Sequence, residues 1–148
     1  MELASNQKRI TAFVIDDLII SVFFMIIFYN QIVSLMMDTG SSGEITEATL
    51  NTVNSFLVDN IMIVFAIKVI YHTVLIWQNG MTIGKYIAKI KVVSLNTEQR
   101  PSFQQAFLRA SVRLISDTFF YLGYFMAFFT KNRQTLHDKL SNCVVVYV

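Results

Sequence analysis

Asp16 and Asp17 stand side by side less than two turns into an apolar stretch that runs from Ile10 to Met37. A carboxylate in hydrocarbon is costly unless it is paired, hydrated or protonated, so acids at such a depth are either functional or tightly structural. Two desolvated carboxylates next to each other favour the uptake of a proton or a cation. Arg9, Ala12 and Asp16 share one helix face, and Asp17 is rotated from it by about 100°. The small Ala12 lets a neighbouring helix come close. Asp16 lies about 10 Å above Arg9; counted back from Gln78, His72 lies at about 9 Å and Lys68 at about 15 Å. Lys68 and His72 are four apart, so a cation and an imidazole can meet the acids of the first helix. Arg109, Arg113 and Asp117 form another charged stripe with the same spacing. Arg9, Lys68, Arg109 and Arg113 thus face Asp16, Asp17, Asp117 and Asp138. They read either as ion pairs that close a bundle, with the arginines partly snorkelling, or as a proton and cation site around Asp16, Asp17, Lys68 and His72.

The elements that carry these residues belong to a membrane. Apolar residues make up 54% of the chain and charged residues 15%, where a soluble domain has about a quarter charged. Leu18 to Met37 has no charge, and in Asn60 to Gly84 only Lys68 and His72 can carry one near neutral pH. Each run can cross a hydrocarbon layer of about 30 Å. Lys8 and Arg9 precede the first run as in a signal peptide, but the run is too long, holds two acids and has no small-residue cleavage site after it. The first helix is therefore expected to stay. A single cysteine, Cys143, excludes an internal disulfide and reads as a small apolar residue in a valine-rich strand.

Charge orients the helices. Lys8 and Arg9 precede the first; the segment Asp38 to Asn60 has only acids; Gln78 to Arg113 carries Lys85, Lys89, Lys91, Arg100, Arg109 and Arg113. Basic residues stay on the cytoplasmic side, so the N-terminus is expected there in a multi-pass protein. Ser102 to Asp117 is amphipathic, suited to the interface or to dipping partway in, and Phe119 to Phe129 is a short aromatic run. Two lone strand-like segments, about 87–95 and 142–148, satisfy their backbones best by pairing with each other. Such pairing puts Arg100 and Lys131 on one side and favours a helical hairpin over a third crossing for 102–130.

The expectation is an all-α membrane protein, a bundle of three to four transmembrane or re-entrant helices with a short cytoplasmic two-stranded β pairing. It is one unit: helix 1 about 8–37, external loop 38–52, helix 2 about 53–79, cytoplasmic segment 80–101, a hairpin or interfacial helix plus short membrane helix over 102–130, and a cytoplasmic tail 131–148.

Three blocks carry a family resemblance: "KRITAFVIDDLI" with Arg9, Ala12 and Asp16, "GMTIGKYIAKIKVV" with Gly80, Thr82, Gly84 and Lys85, and "RQTLHDKLSNCVVV" with Asp138. Together they resemble the RDD family of small bacterial membrane proteins, named for one arginine and two aspartates, over almost the whole chain. The resemblance implies that Arg9, Asp16 and Asp138 are the signature residues, with Asp17 incidental and Lys68 outside the shared set. The family's usual glycine-threonine before the last strand is Asn142 and Cys143 here, a departure confined to the turn. The resemblance also implies the bacterial inner membrane and, because cation/proton antiport is attributed to some members, exchange of monovalent cations for protons, in a homo-oligomer or larger membrane complex. The other expectation is a structural or accessory subunit whose Arg and Asp residues hold the helices together. Thr82, Gly84 and Lys85 lack the spacing of a phosphate loop and read as a turn leaving the second helix. His137 and Asp138 have no third ligand or nucleophile beside them, so Asp138 reads as a cytoplasmic latch that accepts from Arg9 or Lys85. No enzyme activity, metal, cofactor or nucleic acid is expected; membrane lipids are the expected surroundings.

Overall fold

The computed structural model describes residues 2–40, 46–118, 126, 129–130 and 134–148. Helix α1 (Asn6–Ile27) starts at Ser5, whose Oγ accepts from the Lys8 amide at 3.4 Å. Such a cap satisfies a donor that the first turn would leave open. The helix ends at Phe28, which leaves helical geometry at φ −101° and ψ 16° and packs its ring against Phe24 and Phe56. The chain then restarts as α2 (Tyr29–Gly40). The stretch expected as one helix over about 8–37 is therefore two. The buried Phe28 ring, packed between the partly buried Phe24 and Phe56, marks the break, and beyond it come the polar Asn30, Gln31 and Ser34.

Helix α3 (Glu47–Asn79) has 33 residues and spans about 50 Å, more than a hydrocarbon layer requires. It begins at the cap Thr46, inside the segment read as loop 38–52. Its C-terminus is set by Gly80 in the left-handed conformation (φ 71°), with the Gly80 N–H returning to the Ile76 carbonyl at 2.9 Å. A Cβ at this glycine would also lie 3.1 Å from the Val92 carbonyl oxygen. Short α4 (Ile83–Ile87) follows, then β1 (Ile90–Ser94), α5 (Phe103–Thr118), α6 (Leu136–Leu140) and β2 (Cys143–Tyr147). Among the described residues, α1 and α3 are the helices long and apolar enough to cross a membrane.

The two strands pair with each other as expected, and the structure makes the pairing antiparallel, with Val92 opposite Val145, while Leu3 adds a bridge to Val146 on the outer side of β2. The turn into β2 uses Asn142 at φ 51°, a conformation that asparagine adopts more readily than most residues. One face of the sheet buries Ile90, Val92, Cys143 and Val145 against Ala12, Ile76, Ala88 and Ala106 from four helices. This gives an ordinary apolar core at one end of the molecule.

The helices beside it are arranged the other way round. α5 runs antiparallel to α3, with Trp77 against Phe103 and His72 against Arg113. It buries Arg109 and Arg113 while Phe103, Phe107, Leu108 and Ile115 are exposed. The polar stripe expected at an interface therefore points into the protein. α4 repeats the pattern, burying Gly84 and Lys85 and exposing Ile83, Tyr86 and Ile87, and α1 buries Asp16 while Val14 and Leu18 are exposed. Charge inside and apolar side chains outside suit hydrocarbon surroundings, where apolar exposure costs nothing and unpaired charge costs most. Most of 119–130, and with it the choice between hairpin and third crossing, lies outside the described residues.

Candidate functional site

Asp16 is fully buried where α1 meets the start of α4. Its Oδ1 accepts from the Tyr71 hydroxyl and the Gly84 amide, both at 2.8 Å. Its Oδ2 accepts from the Thr82 hydroxyl at 2.6 Å, and Lys85 Nζ stands 3.8 Å away. A carboxylate has about four lone-pair positions, and four donors face this one. The local sequence accounts for the cradle. Gly80 turns the chain out of α3, and Thr82 caps α4 by accepting from the Lys85 amide at 3.4 Å while donating its own proton to Asp16. Gly84 permits the contact, because a Cβ there would stand 2.2 Å from the Ala12 carbonyl oxygen and 2.8 Å from Asp16 Oδ1.

Asp138 is also fully buried. Arg109 donates to its Oδ1 through Nε at 2.9 Å and also through Nη2. Arg9 Nη1 reaches Oδ2 at 3.1 Å, and the Thr135 amide closes a capping box on the same oxygen at 3.3 Å. Arg9 also donates to the Val145 carbonyl at 3.3 Å, which ties α1 to the sheet. Burial opposes ionisation of Asp138, but Arg109, His137 and Arg9 outweigh it and hold the carboxyl well below the usual range. His137 is driven well below its ordinary value, chiefly by burial.

Between the two acids lie more buried polar groups. Arg113 Nη1 is 3.2 Å from His72 Nδ1, its Nε is 4.0 Å from Asp117, and its guanidinium sits over the Phe13 ring at 5.2 Å. Lys85 is buried, and desolvation pulls its ammonium down to about 7; Arg113 and Arg109 push the same way, against Asp16 and Asp138. Asp17 points elsewhere and meets Lys68 at 3.5 Å in a half-exposed pair.

The residues singled out by sequence are therefore divided differently from the expectation. Arg9 shares a helix face with Asp16 but extends to Asp138, because the sheet brings the chain's end under the first turn of α1. Lys68 meets Asp17 and not Asp16, and His72 meets Arg113 and not an acid of α1. Of the two partners expected for Asp138, Arg9 reaches it, while Lys85 is paired with Asp16. Arg109 joins Asp138 and Arg113 joins Asp117. Tyr71, Thr82, Gly84 and Lys85, the groups that hold Asp16, were missed as a set. The available signal was Thr82, Gly84 and Lys85 directly after a helix end; they read as a turn, and the structure makes Thr82 the cap of α4 with Gly84 and Lys85 inside that helix.

The three blocks that bear Arg9, Asp16, the Gly80 to Lys85 turn and Asp138 are thus one assembled unit, and the model of the RDD family matches residues 3–142. The chain belongs to the RDD family. It is also 28% identical over 101 residues to an uncharacterized protein of Rickettsia prowazekii (strain Madrid E), an alignment covering 66% of this chain and 56% of that protein. The chain thus spans little more than half the length of that relative. No solved structure matches it. Family membership and two long apolar helices together make it a membrane protein.

Proposed function

We propose that this RDD protein acts as a scaffold or accessory subunit of the bacterial cytoplasmic membrane, multi-pass with its N-terminus in the cytoplasm, and that its signature residues fasten helices to the sheet. One observation carries the reading: donors from the protein itself face both acids on all sides, Tyr71, Thr82, Gly84 and Lys85 at Asp16 and Arg9, Arg109 and Thr135 at Asp138. A cation that bound either carboxylate would have to displace one of these groups and strand it in a buried place.

A second reading, exchange of monovalent cations for protons around Asp16, is favoured by Lys85, a buried amine beside that acid whose burial pulls its ammonium down to about 7. Flux measurements in proteoliposomes decide between them. The scaffold reading expects no cation or proton flux above that of empty vesicles, and a lower unfolding temperature for Asp16→Asn. Wild-type exchange that Asp16→Asn abolishes, with folding intact by gel filtration and thermal melting, establishes the transport reading instead.

A further inference from the structure

The buried ions of the helical region balance, among the described residues, without Lys85. Among the described residues, Arg9, Arg109 and Arg113 are three buried or nearly buried cations, and Asp16, Asp117 and Asp138 are three such anions. Lys85 is the fourth cation, with its side chain only 8% exposed. Its hydrogen bonding is poor for an ammonium: of three protons, one reaches Thr82 Oγ1 at 3.4 Å, and the nearest carboxylate oxygen is 3.8 Å away. Asp16, in contrast, is already served at close range by two hydroxyls and an amide. An ammonium that is buried, weakly hydrogen-bonded and in excess over the local anions is the costliest charge in the cluster.

We propose that Lys85 is a proton-binding site, neutral when the three arginines and three aspartates balance, and charged when a proton enters the cluster. The groups that face it come from every element packed around it. Asp16 on α1 and Asp138 on α6 favour the proton, and Arg109 and Arg113 on α5 oppose it. His72 on α3 and His137 on α6 each feel its charge. Burial is the largest influence and acts against the charged form, which places the exchange near pH 7. On protonation, the ammonium gains an attraction to Asp16 and a repulsion from Arg113, so the start of α4 is drawn toward α1 and away from α5. The inference is independent of the flux question, since a proton can be bound without crossing the membrane.

The test is carbon-nitrogen NMR on protein with isotope-labelled lysine in lipid nanodiscs, following all seven lysines from pH 5 to 11. The expected result is one side chain titrating near pH 7 and the others above about 9, with the neutral transition absent from Lys85→Met. In Asp16→Asn, the transition moves to lower pH, because the nearest compensating anion is gone. All lysines titrating above pH 9 in the wild type overturns the proposal, and so does a neutral transition that survives Lys85→Met. Should the methionine variant not fold, Lys85→Gln makes the same assignment.

Discussion

Asp16 and Asp138 are both completely buried, yet they are held by opposite means. Asp138 sits between two guanidinium groups, which cannot lose their charge, and draws on α1, α5 and its own helix cap. Asp16 sits among a phenol, a threonine hydroxyl and a backbone amide, with one amine standing farther off. The first arrangement keeps its charges around neutral pH and joins distant parts of the chain. The second is built from neutral dipoles and a single titratable cation, so its charge balance changes by one proton. Buried acids in one small protein can thus differ in what they respond to, and the difference lies in their partners.

Breaking the Asp138 side of this contrast should have the largest effect. Asp138→Asn leaves Arg9 and Arg109 buried beside an amide, and removing one member of a buried ion cluster costs about 3–5 kcal/mol. Thermal melting in detergent should show a large drop or a failure to fold. The pH dependence gives the sign. The folded carboxyl lies below its unfolded value of about 4, so its stabilisation is complete above pH 4 and fades as pH falls further. Wild-type stability should decline on acidification below pH 4, and the part due to this residue should be missing from the asparagine variant.

On the Asp16 side, Gly84→Ala should rank next. Its new methyl would stand 2.2 Å from a backbone oxygen, so α4 must move off α1 and lengthen the contacts to Asp16, at about 3 kcal/mol. If that variant melts like the wild type, the cradle is softer than its geometry implies. The smallest effect belongs to Asp17→Asn. The Asp17–Lys68 pair is half exposed, so its loss should cost less than about 1 kcal/mol in detergent. A large loss there would show that the incidental acid of the doublet matters after all.

Much of this architecture was legible before any coordinates. Runs of uncharged residues marked α1 and α3, and two β-branched segments with no other partner marked β1 and β2. Helical spacing put Ala12 with Asp16, and the structure buries both. What stayed hidden depends on distances that periodicity does not encode. Arg9 and Asp138 are 129 positions apart and meet because β2 returns beneath α1. Depth counting set Lys68 and His72 level with Asp16, but level residues on two helices need not face each other. The break at Phe28 was hidden because it comes from aromatic packing across to Phe56 and not from glycine or proline. The family resemblance pointed to Gly84 and Lys85, while their joint service to one carboxylate is a property of the fold.

The reach of Arg9 to Asp138 also bears on the order in which the protein is made. Arg9 and Asp16 emerge from the ribosome long before the segments that neutralise them, and Asp138 follows Arg9 by 129 positions. Until then the nascent chain holds charges that hydrocarbon will not accept. A chain halted before residue 138 keeps Arg9 and Arg109 without this carboxylate. The pairing of Arg9 is thus a late event in synthesis, set by distance along the chain and not by nearness in the fold.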